Sequence, residues 1–339
     1  MSDQRSSAAR RGVGKWSVIA AVATLTVGLA ACSATGGKPR DTGGDGMGAG
    51  TADTPRVKIA MITHEAPGDS FWDLVRKGAE TAAKKDNIEL LYSSDPEAPN
   101  QANHVQSMVD SGVAGIAVTL AKPDAMKPAV SNATAKGIPV VAFNAGQDAW
   151  RDMGVLEYFG QDGYIAGQEA GRRLQADGAK KIICVIQEQG HVDLEARCRG
   201  VQNTFPATET LNVNGKDMPS VESTITAKLQ QDRGIDHVLT LGAPFALTAV
   251  TSVRNAGSDA KVATFDTNAQ LVDAIEDGSV QWAVDQQPFL QGYLAVDSLW
   301  LYLNNRNVIG GNQPTLTGPQ FIDSSNIDAV AEYARAGTR

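Results

Sequence analysis

Polar side chains and aromatic rings recur at one kind of place in this sequence, just after a short apolar run. Asp69, Phe71 and Trp72 follow the run at 57–63, and Asn144 follows the run at 140–143. The stretch 187–193, which holds His191, follows the run at 181–186. Gly242, Asp266 and Gln286 come after the runs at 237–241, 261–265 and 280–285. Carboxylates and amides exchange hydrogen bonds with hydroxyl groups, and aromatic faces cover C–H surface. That mixture suits the binding of a hydroxylated ring. It does not suit bond cleavage: no Gly-x-Ser-x-Gly elbow, His-Glu-x-x-His pair or phosphate loop occurs. Asp69 and Asp266 could imitate a glycosidase carboxylate pair, but hydroxyl binding accounts for both, so no catalytic residue is assigned. The four histidines are scattered without metal-ligand spacing. Neither a metal nor a cofactor is expected.

The elements that position these residues alternate. The run VKIAMIT at 57–63 reads as a strand buried on both faces. A helix over 70–86 carries Phe71, Leu74, Val75, Gly78, Ala79 and Ala82 on one side. Further strands are expected at 88–92, 115–120 and 140–143, with helices at 101–111 and 123–136. After an irregular stretch the rhythm restarts. Helices are expected at 162–176, 195–205, 220–231, 245–255, 270–277 and 289–304, and strands at 181–186, 237–241, 261–265 and 280–285. Strands alternating with helices of this length predict parallel sheets with right-handed crossovers. Two such series predict an α/β protein of two similar doubly wound lobes. Ligands of open parallel sheets bind beyond the carboxyl ends of the strands, which is where the residues named above fall.

The front of the chain reads differently. Arg5, Arg10, Arg11 and Lys15 precede an apolar run at 16–31, which ends in Leu29-Ala30-Ala31-Cys32. This matches a bacterial lipoprotein box: residues 1–31 are a signal peptide and Cys32 carries the lipid. An uncut signal anchor is the alternative. Residues 32–55 are rich in Gly, Thr and Asp and are expected to form a flexible tether. The formal charge of −8 argues against nucleic acid as a partner. The other two cysteines, Cys184 and Cys198, lie in an oxidising compartment, where they form either a disulfide or a pair of buried free thiols.

At these residues the chain resembles the periplasmic sugar-binding proteins of ABC importers, of the ribose- and galactose-binding type. The likeness runs from about Arg56 onward in separated pieces. They include Asp69-Ser70-Phe71-Trp72, Gly137-Ile138-Pro139 with Asn144, Gly160-Gln161-Asp162, Glu195-Ala196-Arg197-Cys198-Arg199-Gly200, Thr264-Phe265-Asp266 and Asp285-Gln286-Gln287-Pro288. The resemblance implies the type I periplasmic binding protein fold. Its lobes are expected at 56–160 with 288–316 and at 161–287 with 317–339, joined by a hinge. It implies a monomer that closes on a monosaccharide or polyol and hands it to an ABC permease, without catalysis. Asp69, Phe71, Trp72, Asn144, His191, Arg197, Asp266 and Gln286 are the implied ligand contacts. Phe71 and Trp72 would sandwich the ring, and Arg197 would donate several hydrogen bonds to it.

The chain also departs from the ribose-binding pattern. Asn144-Ala145-Gly146 stands where that pattern has Asp-Arg, and Gly242-Ala243-Pro244 where it has a polar residue. The ligand is therefore expected to differ from ribose. A sensor that presents a sugar-like signal to a membrane receptor is the alternative to transport. A sugar-responsive repressor would need a helix-turn-helix where this chain has an export signal.

Overall fold

The computed structural model describes residues 50–66 and 68–339. The expected signal peptide 1–31, the expected lipidation site Cys32 and most of the expected tether 32–55 lie outside the described residues. Among the described residues no helix is long and apolar enough to cross a membrane.

The chain begins β1 (Val57–Thr63), α1 (Ser70–Lys85), β2 (Ile88–Ser94), α2 (Ala98–Asp110), β3 (Gly115–Val118), α3 (Pro123–Ala135), β4 (Val140–Asn144) and β5 (Glu157–Gly160). It continues through α4 (Gly163–Ala176), β6 (Ile182–Ile186), α5 (Val192–Thr204), β7 (Thr208–Asn212), α6 (Met218–Gln231) and β8 (His237–Thr240). Then come α7 (Ala243–Ala256), β9 (Lys261–Phe265), α8 (Ala269–Glu276), β10 (Trp282–Asp285), α9 (Pro288–Asn305), β11 (Thr315–Leu316), β12 (Gln320–Asp323) and α10 (Ala331–Arg335).

The strands form two six-stranded sheets, ordered β11-β5-β4-β3-β1-β2 and β12-β10-β9-β8-β6-β7. Every pairing is parallel except that of β10 with β12. The chain passes between the sheets after β5, after β10 and again between β11 and β12.

Strand alternation explains why each sheet is apolar on both faces. On β1, Ala60 and Ile62 face one core layer, and Ile59 and Met61 face the other. On β6, Ile183 and Val185 face one layer, while Ile182, Cys184 and Ile186 face the second. Burying each Ile stabilises the fold by about 1.5–3 kcal/mol.

Two glycines set the helices that carry the site. A Cβ on Gly292 of α9 would lie 1.9 Å from the Val75 carbonyl oxygen of α1. A Cβ on Gly167 of α4 would lie 2.0 Å from the carbonyl oxygen of Arg197 on α5. Only glycine permits either approach. Cys184 of β6 and Cys198 of α5 are joined as a disulfide, 14 residues apart in sequence, which ties α5 to its sheet a second time.

Several elements differ from the sequence expectation. The irregular stretch before α4 contains β5, whose four residues are all buried between β4 and β11. Its brevity and the charge of Glu157 hide it. β7 pairs with β6 alone and is half-exposed, so it lacks an apolar pattern. α5 starts at Val192 instead of 195, because His191, an unusual cap, accepts from its first turn.

Candidate ligand-binding cleft

Between the two sheets lies a cavity of about 470 Å³. The strand ends and helix starts of both halves line it, as the topology requires. Asp69, Phe71, Trp72, Asn144, His191, Arg197, Asp266 and Gln286 all face it. Their surroundings divide them into groups that still have a free hydrogen-bonding atom, groups that do not, and rings.

Arg197 is the clearest of the first kind. It is buried, and its guanidinium lies 4.7 Å from the centre of the Phe265 ring. Among the described residues no carboxylate pairs with it, and its buried Nε has no acceptor. Burying such donors unpaired costs several kcal/mol. Asp69 caps α1 through Oδ1, which accepts from the Phe71 N–H at 3.1 Å. Burial pushes its carboxyl up to about 6, the Phe71 N–H opposes this, and Glu65, Asp73 and Glu188 add to it. Asp266 is pushed up to about 7 by burial, against the pull of Arg197 and of Gln286.

Asn144 and Asp266 are held by a chain of amides at the crossing strands. Gln286 Nε2 donates to Asp266 Oδ1 at 2.7 Å. Gln291 Nε2 donates to Gln286 Oε1 at 3.1 Å and to Thr317 Oγ1 at 3.0 Å. Asn144 Nδ2 donates to Gln291 Oε1 at 3.2 Å. Gln286 is therefore committed at both ends of its amide, whereas Asn144 Oδ1 and Asp266 Oδ2 have no partner among the described residues.

His191 is committed as well. Its Nδ1 accepts from the Asp193 and Leu194 N–H groups, and its Nε2 meets the Nε2 of His64 at 3.1 Å. It offers the cavity ring edge and no free nitrogen.

The aromatic pair is arranged otherwise than expected. Phe71 and Trp72 meet edge to face, with centroids 5.2 Å apart and planes at 82°. Perpendicular rings that close leave no slot for a third ring between them. They form one continuous wall, so the expected sandwich by these two residues is corrected.

The sequence reading passed over His64, Met218 and Phe245 and took Glu188 only as part of the stretch 187–193; all four also line the cavity. His64 directly follows β1, so the strand-end rule points at it. Met218 and Phe245 sit in the first turns of α6 and α7, where they read as ordinary core. The histidines distant in sequence come together here: His64, Glu188 and His191 place donor atoms within 4.8 Å of one another.

The cleft is closed by contacts across it. Asp193 Oδ2 accepts from the Gly146 N–H at 2.7 Å, and the Val192 N–H donates to the Ala121 carbonyl at 3.1 Å. Lys122 pairs with Glu188 at 2.9 Å.

Comparison with known proteins agrees with this architecture. The profile of a family described as the periplasmic binding protein domain matches residues 59–307. The xylose/arabinose-binding protein of Sulfolobus acidocaldarius is 25% identical over 300 residues, covering 80% of this chain and 72% of that protein. The ribose import binding protein of Bacillus subtilis is 26% identical over 261 residues, covering 75% of this chain and 83% of its own. A carbohydrate transporter from Acidothermus cellulolyticus 11B, solved in complex with myo-inositol, is 56% identical with a TM-score of 0.83. The match covers 84% of this chain and 100% of that one.

Proposed function

The chain belongs to the periplasmic binding protein family, and from that premise we propose that it captures a monosaccharide or cyclic polyol and delivers it to an ABC-type permease. A ring of the myo-inositol type is the first choice of ligand. The observation that carries this reading is Arg197, a buried cation without an acceptor among the described residues, facing a cavity that also holds Asp69, Asp266 and the Phe71–Trp72 wall. A ring hydroxyl or ring oxygen supplies the missing acceptor. The 56% identical relative that holds myo-inositol supports the choice of ring.

In this reading the ligand accepts from Arg197 and donates to Asp69, Asp266 and Asn144. The aromatic wall covers its C–H face. Gln286 and His191 hold the frame that presents these groups. The lobes 56–160 with 288–316 and 161–287 with 317–339 rotate about the crossing strands, a hinge motion. A lipid on Cys32, within Leu29-Ala30-Ala31-Cys32, keeps the receptor beside its permease.

Mass spectrometry of small molecules released by denaturing freshly purified protein tests the proposal. A monosaccharide or polyol is expected. Protein that releases none, and whose melting temperature no pentose, hexose or inositol raises, would contradict it.

A further inference from the structure

His64 follows β1 in one half of the molecule, and His191 caps α5 in the other. Their Nε2 atoms lie 3.1 Å apart, and both residues are buried. At that distance one nitrogen donates and the other accepts, so a single proton lies between the rings. Neighbours fix which ring supplies it. His191 Nδ1 accepts from the N–H groups of Asp193 and Leu194 at 3.3 and 3.4 Å, so this nitrogen bears no hydrogen. Neutral His191 therefore carries its proton on Nε2 and donates to His64 Nε2. His64 then carries its own proton on Nδ1, 2.7 Å from Thr119 Oγ1, an oxygen that also accepts from the His64 backbone N–H at 3.2 Å. Gln101 Nε2 holds that hydroxyl at 3.0 Å.

A second proton would set N–H against N–H. The charged groups around the pair are Glu188, Lys122 and Arg197. Burial first, then Lys122, hold His64 down at about 4, with Glu188 opposing. Burial first, then His64, Arg197 and Lys122, hold His191 well below its ordinary value. The same two rings with Glu188 resemble a transition-metal donor set. A metal on both Nε2 atoms would force the His191 proton onto Nδ1, against two backbone N–H groups, and Glu188 already pairs with Lys122 at 2.9 Å. The geometry favours the shared proton.

We propose that His64 is a positioning residue, acting through His191 to latch the closed cleft over its ligand, and that acidification releases the latch. The proposal rests on the binding function above. With the cleft open, both rings face water and titrate near their ordinary value of about 6.5. Closing requires neutral rings, so each ring disfavours the closed form about tenfold per pH unit below that value, or about thirtyfold at pH 5. Asp69, Asp193 and Asp266, all pushed up by burial, titrate nearby with the opposite sign. The test is therefore a comparison between proteins.

Myo-inositol affinity and dissociation rate, measured for the wild type and His64→Gln between pH 7.5 and pH 5, read the latch. Glutamine keeps a donor and an acceptor without a titrating ring. The ratio of wild-type to variant affinity is expected to fall about thirtyfold over that interval, mostly through faster dissociation. Ring-nitrogen NMR of the wild type at pH 7.5 is expected to find the protons on His191 Nε2 and His64 Nδ1. Parallel pH profiles, or a proton on His191 Nδ1, would overturn the latch. So would zinc ions that stabilise the wild type and not the variant. If myo-inositol, pentoses and hexoses all leave the wild type unbound at pH 7.5, the binding function fails instead, and the ring-nitrogen spectra alone decide the latch.

Discussion

Asn144 and Asp266 occupy the same place in the two halves of the molecule, and Gln286 joins them. Asn144 ends β4, flanked by β3 and β5, and Asp266 follows β9, flanked by β8 and β10. Each adopts left-handed backbone, with φ of 66° and 65°, a conformation that Asn and Asp tolerate better than most residues. Gln286 donates to Asp266 Oδ1 at 2.7 Å, and its Oε1 lies 3.5 Å from Asn144 Nδ2. This amide therefore orients one cavity-lining polar group from each half. Their remaining oxygens, Asn144 Oδ1 and Asp266 Oδ2, stay available.

Arg197 should dominate affinity. Arg197→Met removes donors that have no acceptor among the described residues, and with them a buried cation of the ligand-free protein. Calorimetric titration is expected to show at least about a hundredfold weaker binding, with an unchanged or higher melting temperature. A variant that binds normally would remove Arg197 from the site.

Asp69→Asn should separate stability from binding. Burial raises the carboxyl to about 6. In the folded, ligand-free protein its ionised form therefore costs stability above that pH, and the cost vanishes as pH falls toward 4. Asparagine keeps the helix cap. Thermal melts should show the variant more stable by about 1 kcal/mol at pH 8, a figure reduced because Asp69 is only partly buried, and no more stable at pH 4. Binding should weaken about tenfold. A variant less stable than wild type at pH 8 would contradict the assigned cost.

Gly167→Ala should loosen the helix that carries Arg197. The added Cβ meets a backbone oxygen at 2.0 Å, which no rotamer change relieves. Urea unfolding should show a loss of about 3 kcal/mol at unchanged slope, with weaker ligand binding beside it.

The disulfide should matter to the same helix. Its ends are 14 residues apart, so its removal by the double change Cys184→Ala with Cys198→Ala is expected to cost about 3 kcal/mol. An equal melting temperature with and without the bond would show that core packing alone fixes α5.

Much of this was legible in the sequence, for physical reasons. The stripe from Phe71 to Ala82 repeats at helical spacing, and all six residues named for it are buried. The continuous apolar run of β1 could only be a strand covered on both faces. The strand-end rule found residues that line the cavity because the topology leaves little choice. What stayed hidden depends on closure. Both histidines follow strands, but that their rings meet is visible only once the halves come together. Phe71 and Trp72 are adjacent in sequence, but only the fold sets their planes at 82°.

Arg197 is expected to hold a hydroxylated ring in this cleft. Isothermal titration of the lipid-free chain with myo-inositol, alongside xylose, arabinose and ribose, tests it most directly. Saturable one-to-one binding of at least one of them is expected, with Kd of about 1 μM or below and lost in Arg197→Met. Myo-inositol is expected to bind tightest. Absence of binding across that panel and a wider set of hexoses and polyols would contradict it.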